Sequence, residues 1–324
     1  MTQATGSAGK IILQREETWG VKPAVPKAFV LKNALYGETL GAESDVLMSE
    51  AISSDIGIQD TRNGQLRVTG TMPFELSIAG SEFLLEGALG GVEQTDVVVN
   101  TKPMKKKLFF RKASLPTWFI QKQFTDIDKN YGFLGAKFSN LTMAITAESL
   151  ITGNIDIVAR EVDTSEVYDL SPLELTHHVY AAIDGEILEG GLGAKYTSMN
   201  LTIARPITDP RIVGSKLAAS LPEGKGEVTG DVTIMFENND MYEKWQNETE
   251  TSIKATFTQG DDSIEVLIPR VKFGGNAVAQ LTSADGISVT YSFTGLVGTY
   301  QGKRGDVFVT VINEFDYMSE SYPT

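Results

Sequence analysis

"GAKFSNLTMAIT" occupies residues 135–146, and "GAKYTSMNLTIA" occupies residues 193–204, fifty-eight positions later. Aligned without a gap, the two share Gly-Ala-Lys, exchange Phe138 for Tyr196, and match again at Ile145 and Ile203. A second echo accompanies the first. Val68-Thr69-Gly70 and Val228-Thr229-Gly230 each sit in a strand-like stretch that leads into a short helical pattern. "ITGNIDI", from Ile151, is a weaker third copy. Repetition of this kind marks a duplicated unit. It predicts two similar β-rich domains in which 135–146 and 193–204 are equivalent strands.

The remaining sequence supports a β fold. "QLRVTGTMPFELSI" (65–78), "NIDIVAREV" (154–162), "SIKATFTQ" (252–259), "SIEVLIPRVKF" (263–273), "ISVTYSFTGL" (287–296) and "DVFVTVINEF" (306–315) are rich in β-branched and aromatic residues, several with period-two alternation. The last is apolar on both faces, as expected of a strand buried on both sides or at an interface. Helical signals are few. "SEFLLEGALGG" opens on Ser81 as a candidate N-cap and stops at Gly90-Gly91. "NDMYEKWQNE" places Met241, Tyr242 and Trp245 on one face.

These patterns divide the chain into an N-terminal arm (1–17), a first domain (18–163), a second domain (164–315) and a C-terminal tail (316–324). The acidic "DTSEVYD" (163–169) reads as the joint between the domains. The polar first fifteen residues read as a mobile arm. Residues 35–64 have weak periodicity, which marks a long functional or interface loop.

Composition bounds the function. With 41% hydrophobic and 22% charged residues the chain can bury a core, so wholesale disorder is excluded. It has no cysteine, which removes disulfides and thiolate metal sites. The opening residues lack the apolar core of a signal peptide, and no run approaches the length of a membrane span, so cytoplasmic synthesis is expected. A net charge of −14 argues against a protein built to grip nucleic acid.

Catalytic constellations are scarce. His177 and His178 are adjacent, and on a strand they would point to opposite faces, which disfavours a shared metal. "EGGLGAKYT" and "PEGKGEVTG" lack the spacing of phosphate loops and read as hairpin turns. Asp126 with Asp128, and Asp261 with Asp262, sit in turn-like sequence that fixes no catalytic geometry. "KPMKKKLFFRK" (102–112) holds six cations in eleven residues. Three readings are open for it: contact with DNA, pairing with an acidic neighbour, or a lysine-protected edge strand.

An ordered series of segments carries a resemblance. "EETWGVKPAVP" (16–26), "SSDIGIQDTRNGQLRVTGTMPFELS" (53–77) and "FIQKQFTDIDKNYGFLGAKFSNLTMAI" (119–145) come first. "ITGNIDIVAR", "GAKYTSMNLTIARP", "VGSKLAASLPEGKGEVTGDVTIMFEN", "YEKWQNETETSI" and "IEVLIPRVKFGG" follow in the same order. The chain resembles the tail tube proteins of long-tailed, non-contractile bacteriophages over about 300 residues. It departs from the family at residues 56–59, where charged residues are usual.

The resemblance implies an all-β fold with short helices: two tandem tail-tube-type β-sandwich or split-barrel domains, each flanked by one short helix. It implies a structural virion protein without enzymatic activity or cofactor, and without a membrane partner. Rings would stack helically into a tube that conducts double-stranded DNA, with tape measure and tail terminator proteins as further partners. Two domains per chain predict a trimeric ring with pseudo-sixfold symmetry, the alternative being a hexamer. Candidate assembly contacts are Lys105, Lys106, Lys107, Trp19, Asp45 and Asp55. Two rival functions differ in kind: a tandem β-sandwich of a tail tip or fibre that recognises the host surface, and a glycoside hydrolase built on an acidic dyad.

Overall fold

The computed structural model describes every residue except 1–2, 25–26, 53–55, 165–171, 176–177, 276–277, 281–285 and 322–324. The first half contains β1 (Gly9–Arg15), β2 (Ala28–Val30), β3 (Gly41–Met48), β4 (Thr61–Glu75) and α1 (Ser81–Leu89). It continues with β5 (Gly90–Val99), β6 (Lys102–Arg111), β7 (Trp118–Phe124), β8 (Lys129–Thr146), β9 (Thr152–Ala159) and β10 (Glu161–Asp163). The second half contains β11 (Leu173–Glu174), β12 (Gly185–Glu189), β13 (Leu192–Gly193), β14 (Tyr196–Ala204), β15 (Glu227–Met235) and α2 (Asp240–Gln246). It ends with β16 (Thr251–Gln259), β17 (Asp262–Gly274), β18 (Ser288–Leu296), β19 (Gly298–Tyr300), β20 (Lys303–Gly305), β21 (Phe308–Asn313) and α3 (Tyr317–Ser321). The fold is all-β with short helices, and the sheet does not close into a barrel.

The pairings of the first half are repeated in the second. In the first, β1 pairs with β7, β7 with β8, β8 with β9, β9 with β4, and β4 with β3, while β10 flanks the start of β8. In the second, β12 pairs with β16, β16 with β17, β17 with β18, β18 with β15, and β15 with β14, while β21 flanks the start of β17. Chain order is conserved throughout. One irregularity recurs at the same place, because the β7–β8 register slips between Trp118 and Ile120 and the β16–β17 register slips between Thr251 and Ile253. α1 packs on β8, and α2 packs on β17.

This correspondence corrects the opening alignment. Val68-Thr69-Gly70 and Val228-Thr229-Gly230 are equivalent: Gly70 lies in register with Ile157 and then Phe138, and Gly230 with Phe293 and then Phe273. Residues 135–146 and 193–204 are not equivalent. They belong to β8 and β14, which are neighbours paired antiparallel from Asn140↔Ala204 to Thr146↔Ser198. Similar spelling here reflects two adjacent strands with the same alternation of buried and exposed positions, since Leu141, Met143 and Ile145 face the core together with Met199, Leu201 and Ile203. The β8–β14 ladder fuses the two halves into one sheet.

Both termini are built into the fold. Residues 9–15, expected within a mobile arm, form β1 between β2 and β7, with Ile12 and Leu13 fully buried. The three consecutive apolar residues Ile11-Ile12-Leu13 suit a strand covered on both faces. In the C-terminal tail, Tyr317 is fully buried and packs against Phe83 and Phe109. Among the described residues, the β5–β6 hairpin has no counterpart in the second half. It reaches across to pair with β21, so the halves interlock. Residues 35–64 are less irregular than their composition suggests, because β3 and the start of β4 form a projecting hairpin. Its weak periodicity follows from exposure of both faces near the tip. The joint at 163–169 falls mostly outside the described residues, as does His177. His178 is described, and its carbonyl accepts the Ile78 N–H at 2.8 Å.

Candidate assembly surfaces

The basic strand β6 lies inside the sheet between β5 and β21 and is not an edge. Lys107 is fully buried and contributes no surface, which removes it from the candidate contacts. Its ammonium donates to Glu82 at 3.1 Å and to the side-chain oxygen of Asn313. Burial holds it below the ordinary lysine range, opposed by the Glu82 carboxylate. Glu82 and Glu86 are one turn apart on α1, and both are fully buried. Glu86 takes Arg15 and the Tyr317 hydroxyl. These ionic contacts tie β1, α1, β6, β21 and the C-terminal segment together. Such a cluster specifies one arrangement of its elements, and removing one partner leaves an uncompensated charge.

The other cations of the run are mostly neutralised within the chain. Lys105 pairs with Asp96 at 2.7 Å and Asp316 at 3.1 Å, and Lys102 pairs with Asp261 at 2.9 Å. Lys106 is half-buried. Trp19 is also engaged internally. Its indole N–H donates to the Gly135 carbonyl at 3.2 Å, and the Arg160 guanidinium lies over its ring. Glu16 fixes this corner by accepting the N–H groups of Gly20 and Gly135 at 2.9 and 2.6 Å. Burial raises the Glu16 carboxyl above its ordinary range, and those hydrogen bonds oppose the shift. The turn carboxylates have local partners too, since Asp126 accepts the Thr5 N–H at 2.6 Å. Among the described residues, no group of three or more His, Asp or Glu is placed to hold a metal. No described helix is long and apolar enough to cross a membrane.

The surface that stands out is the β3–β4 hairpin. Val46, Leu47, Met48, Ile52, Ile56 and Ile58 are all exposed there, with Ile52 and Ile56 completely so. Asp45 lies on this hairpin and is exposed, while Asp55 falls outside the described residues. The hairpin base is braced by the connection between β14 and β15. The Gln65 amide donates to the Ile212 and Ser215 carbonyls at 2.9 and 3.0 Å, and Arg211 donates to the Leu66 carbonyl. That connection adds Ile212 and the fully exposed Val213 to the same projecting region. A cluster of exposed large apolar side chains on a rigid base marks an interaction surface. Sequence periodicity could not have found it, although the apolar residues at 46–48, 52, 56 and 58 in a weakly patterned segment were the available signal.

A second surface is the open edge beside that hairpin. The Thr39 N–H donates to the Thr71 carbonyl, so the Leu40 peptide groups face outward. In this chain the Leu40 N–H donates to Glu38 at 3.0 Å, and the Leu40 carbonyl accepts from Lys122, itself 2.6 Å from Glu38. A charged pair thus caps the exposed edge, a recognised protection against unwanted strand pairing. Beside it lies a cleft of about 710 Å³ walled by β1, the end of β7 and residues 34–38.

The comparison with family models agrees with the β architecture. A family model described as "Phage tail tube protein" matches residues 6–295. No curated protein matches the chain. With nearly its whole length matched and an all-β fold beneath it, the chain belongs to the phage tail tube protein family.

Proposed function

We propose that this chain is the major tail tube subunit of a long-tailed, non-contractile phage, made in the host cytoplasm and incorporated into the virion tail. Its role is structural rather than catalytic. Three chains form a ring with pseudo-sixfold symmetry, rings stack into a tube, and double-stranded DNA passes through the lumen. The observation that carries this reading is the repeated set of strand pairings within one chain. Two like units per chain let three chains fill six positions, and a heterologous interface that closes generates a ring. Closure also removes the open strand edges that otherwise template aggregation.

The projecting apolar hairpin supplies ring-to-ring contact, and the ends of the tube meet the tape measure and terminator proteins of the tail. Three chains carry a formal charge of −42, three times −14. Negative charge toward the lumen would let the DNA slide rather than bind. Microscopy of the purified protein tests the proposal. Tubes or stacked rings with three chains per ring are expected. Monodisperse monomers under tube-forming conditions would refute the assembly role, and six chains per ring would refute the stoichiometry.

A further inference from the structure

The buried ion cluster holds a third polar group that charge balance does not require. Glu82 alone neutralises Lys107, yet the buried carboxamide of Asn313 stands against both. Asn313 on β21 is paired with Lys105 on β6, so Lys107, two residues along, is its diagonal neighbour on the same face. A lysine stem spans that diagonal. Its nitrogen contacts the Asn313 side-chain oxygen and lies 3.1 Å from Oε1 of Glu82. The same Oε1 accepts the Asn313 amide N–H at 2.7 Å. The other Glu82 oxygen is held by the Gly80 N–H at 2.9 Å, which fixes the carboxylate in this position. One carboxylate oxygen therefore bridges an amine nitrogen and an amide nitrogen.

The carboxamide is oriented as firmly. Its oxygen also accepts the Phe315 N–H at 3.0 Å, and its nitrogen also donates to the Ile78 carbonyl at 2.5 Å. Aromatic rings shield the site from water. The Lys107 nitrogen lies 5.2 Å from the centre of the Phe315 ring, and Phe83 and Tyr317 pack against that ring. Burial weakens the hold of Lys107 on its proton, because an ammonium is costly away from water. A neutral amine is a nucleophile. The electrophile, the amide carbon, is one bond behind the oxygen that this amine touches.

We infer that Lys107 and Asn313 join in the folded chain through an isopeptide bond, with Glu82 carrying the proton. The Lys107 ammonium gives one proton to Glu82 Oε1, and the freed lone pair attacks Cγ of Asn313. As the Nζ–Cγ bond forms, the carbonyl electrons move to Oδ1, where the Phe315 N–H stabilises the developing charge. Glu82 passes its proton to Nδ2, the Cγ–Nδ2 bond breaks, and ammonia leaves. Glu82 then takes the surplus proton from Nζ and yields it to the ammonia, so an ammonium ion departs and the carboxylate is restored. No oxidant or cofactor enters. The event occurs once per chain and is not a turnover. It links β6 of the first half to the last strand of the second, 206 positions away. A chain with no cysteine thereby gains the long-loop constraint that a disulfide would supply. Until it closes, the cluster is the ion pair described above, and variants lacking Lys107 are compared with wild type in that unlinked state.

Mass spectrometry of the full-length wild-type protein, incubated after purification, tests this without any substitution. The intact chain should weigh one ammonia, about 17 Da, less than its sequence. Trypsin should no longer cut after Lys107, and a branched peptide should join residues 107–111 to the peptide beginning at Gly305. K107R and N313A should keep their full mass. E82Q should close about 10²-fold or more slowly than wild type, and E82D should be slowed less. A wild-type chain that keeps its full mass overturns the inference. So does the same mass loss confined to an unbranched Asn313 peptide, which marks a cyclic imide. A loss of about 18 Da with Lys107 joined to Glu82 overturns it too, because water has left instead of ammonia. Closure of E82Q or E82D at the wild-type rate removes Glu82 from the reaction. None of these outcomes depends on whether rings or tubes form.

Discussion

Replacing Gly70 with alanine tests whether the two halves are built alike and whether their equivalent edges differ in use. A methyl group at Gly70 would collide with the Leu40 backbone and stand 2.6 Å from the Thr39 carbonyl carbon. Backbone cannot rotate away as a side-chain tip can, so residues 39–40 must retreat by about 1 Å to reach an ordinary contact. Overpacking of this kind costs about 1–3 kcal/mol. Gly230→Ala meets the equivalent obstacle, the Asn200 carbonyl oxygen, together with Phe293 Cζ at 2.5 Å. Both variants should lose a similar, modest amount of stability in urea denaturation and remain folded at 25 °C. They should differ in assembly. Gly70→Ala displaces the open edge at residues 39–40, whereas Gly230→Ala displaces Asn200, which is already paired inside the chain. Light scattering of tube growth should therefore slow far more for G70A than for G230A. Equal assembly rates at equal stability loss would refute the difference in use, and no stability loss in either variant would refute the equivalence.

Deleting residues 1–15 should destabilise the whole chain. Burial of Ile12 and Leu13 alone is worth about 1.5–3 kcal/mol each, against a typical total of about 5–15 kcal/mol. Denaturation midpoints of Δ1–15 and Δ1–8 should separate sharply, with only the shorter deletion near wild type. Lys107→Ala should cost about 3–5 kcal/mol by stranding Glu82, and adding E82Q to K107M should recover most of it in the same assay. Changing Leu47, Ile52 and Ile56 together to serine should leave the melting temperature within about 1 °C, since exposed sites contribute little, while micrographs show rings in place of tubes. The Asp316 carboxyl is held below its ordinary range by Gln94, the Ser319 N–H and Lys105. A depressed acid lends stability that is full above its unfolded value of 3.8 and fades as pH falls toward the folded one. Protection of the amides around Tyr317 against hydrogen exchange, relative to the free-chain rate at the same pH, should fall in wild type below pH 4, and D316N should show that lower protection already at pH 7.

The strands and both larger helices were legible because alternation and helical spacing are local properties. So was the matching placement of the two Val-Thr-Gly strands, where each glycine answers a close approach that any Cβ would obstruct. The better-looking repeat misled. Two adjacent strands sharing one alternation need no common origin to read alike. The core ion cluster was illegible for another reason. Glu82 and Glu86 have the spacing of a solvated helix face, and Lys107 sits in a run that resembles surface. Their partners lie 25 to 231 positions away, at Lys107, Asn313 and Tyr317, a distance no local pattern spans. The open edges were invisible in principle, because they are defined by pairings that stop.

The covalent continuity across the β8–β14 ladder alters the kinetics of building a tube. Every lateral joint between separate subunits requires two bodies to lose translational and rotational freedom, at a cost of about 4–15 kcal/mol. In a three-chain ring of the proposed kind, every second joint is made while the polypeptide folds. A tether turns that encounter into an intramolecular event at high effective concentration. Building the ring then needs two bimolecular encounters instead of five, and the two kinds of joint are free to drift apart in strength. The one inside the chain can be permanent, while the one between chains stays weak enough to correct a misplaced subunit.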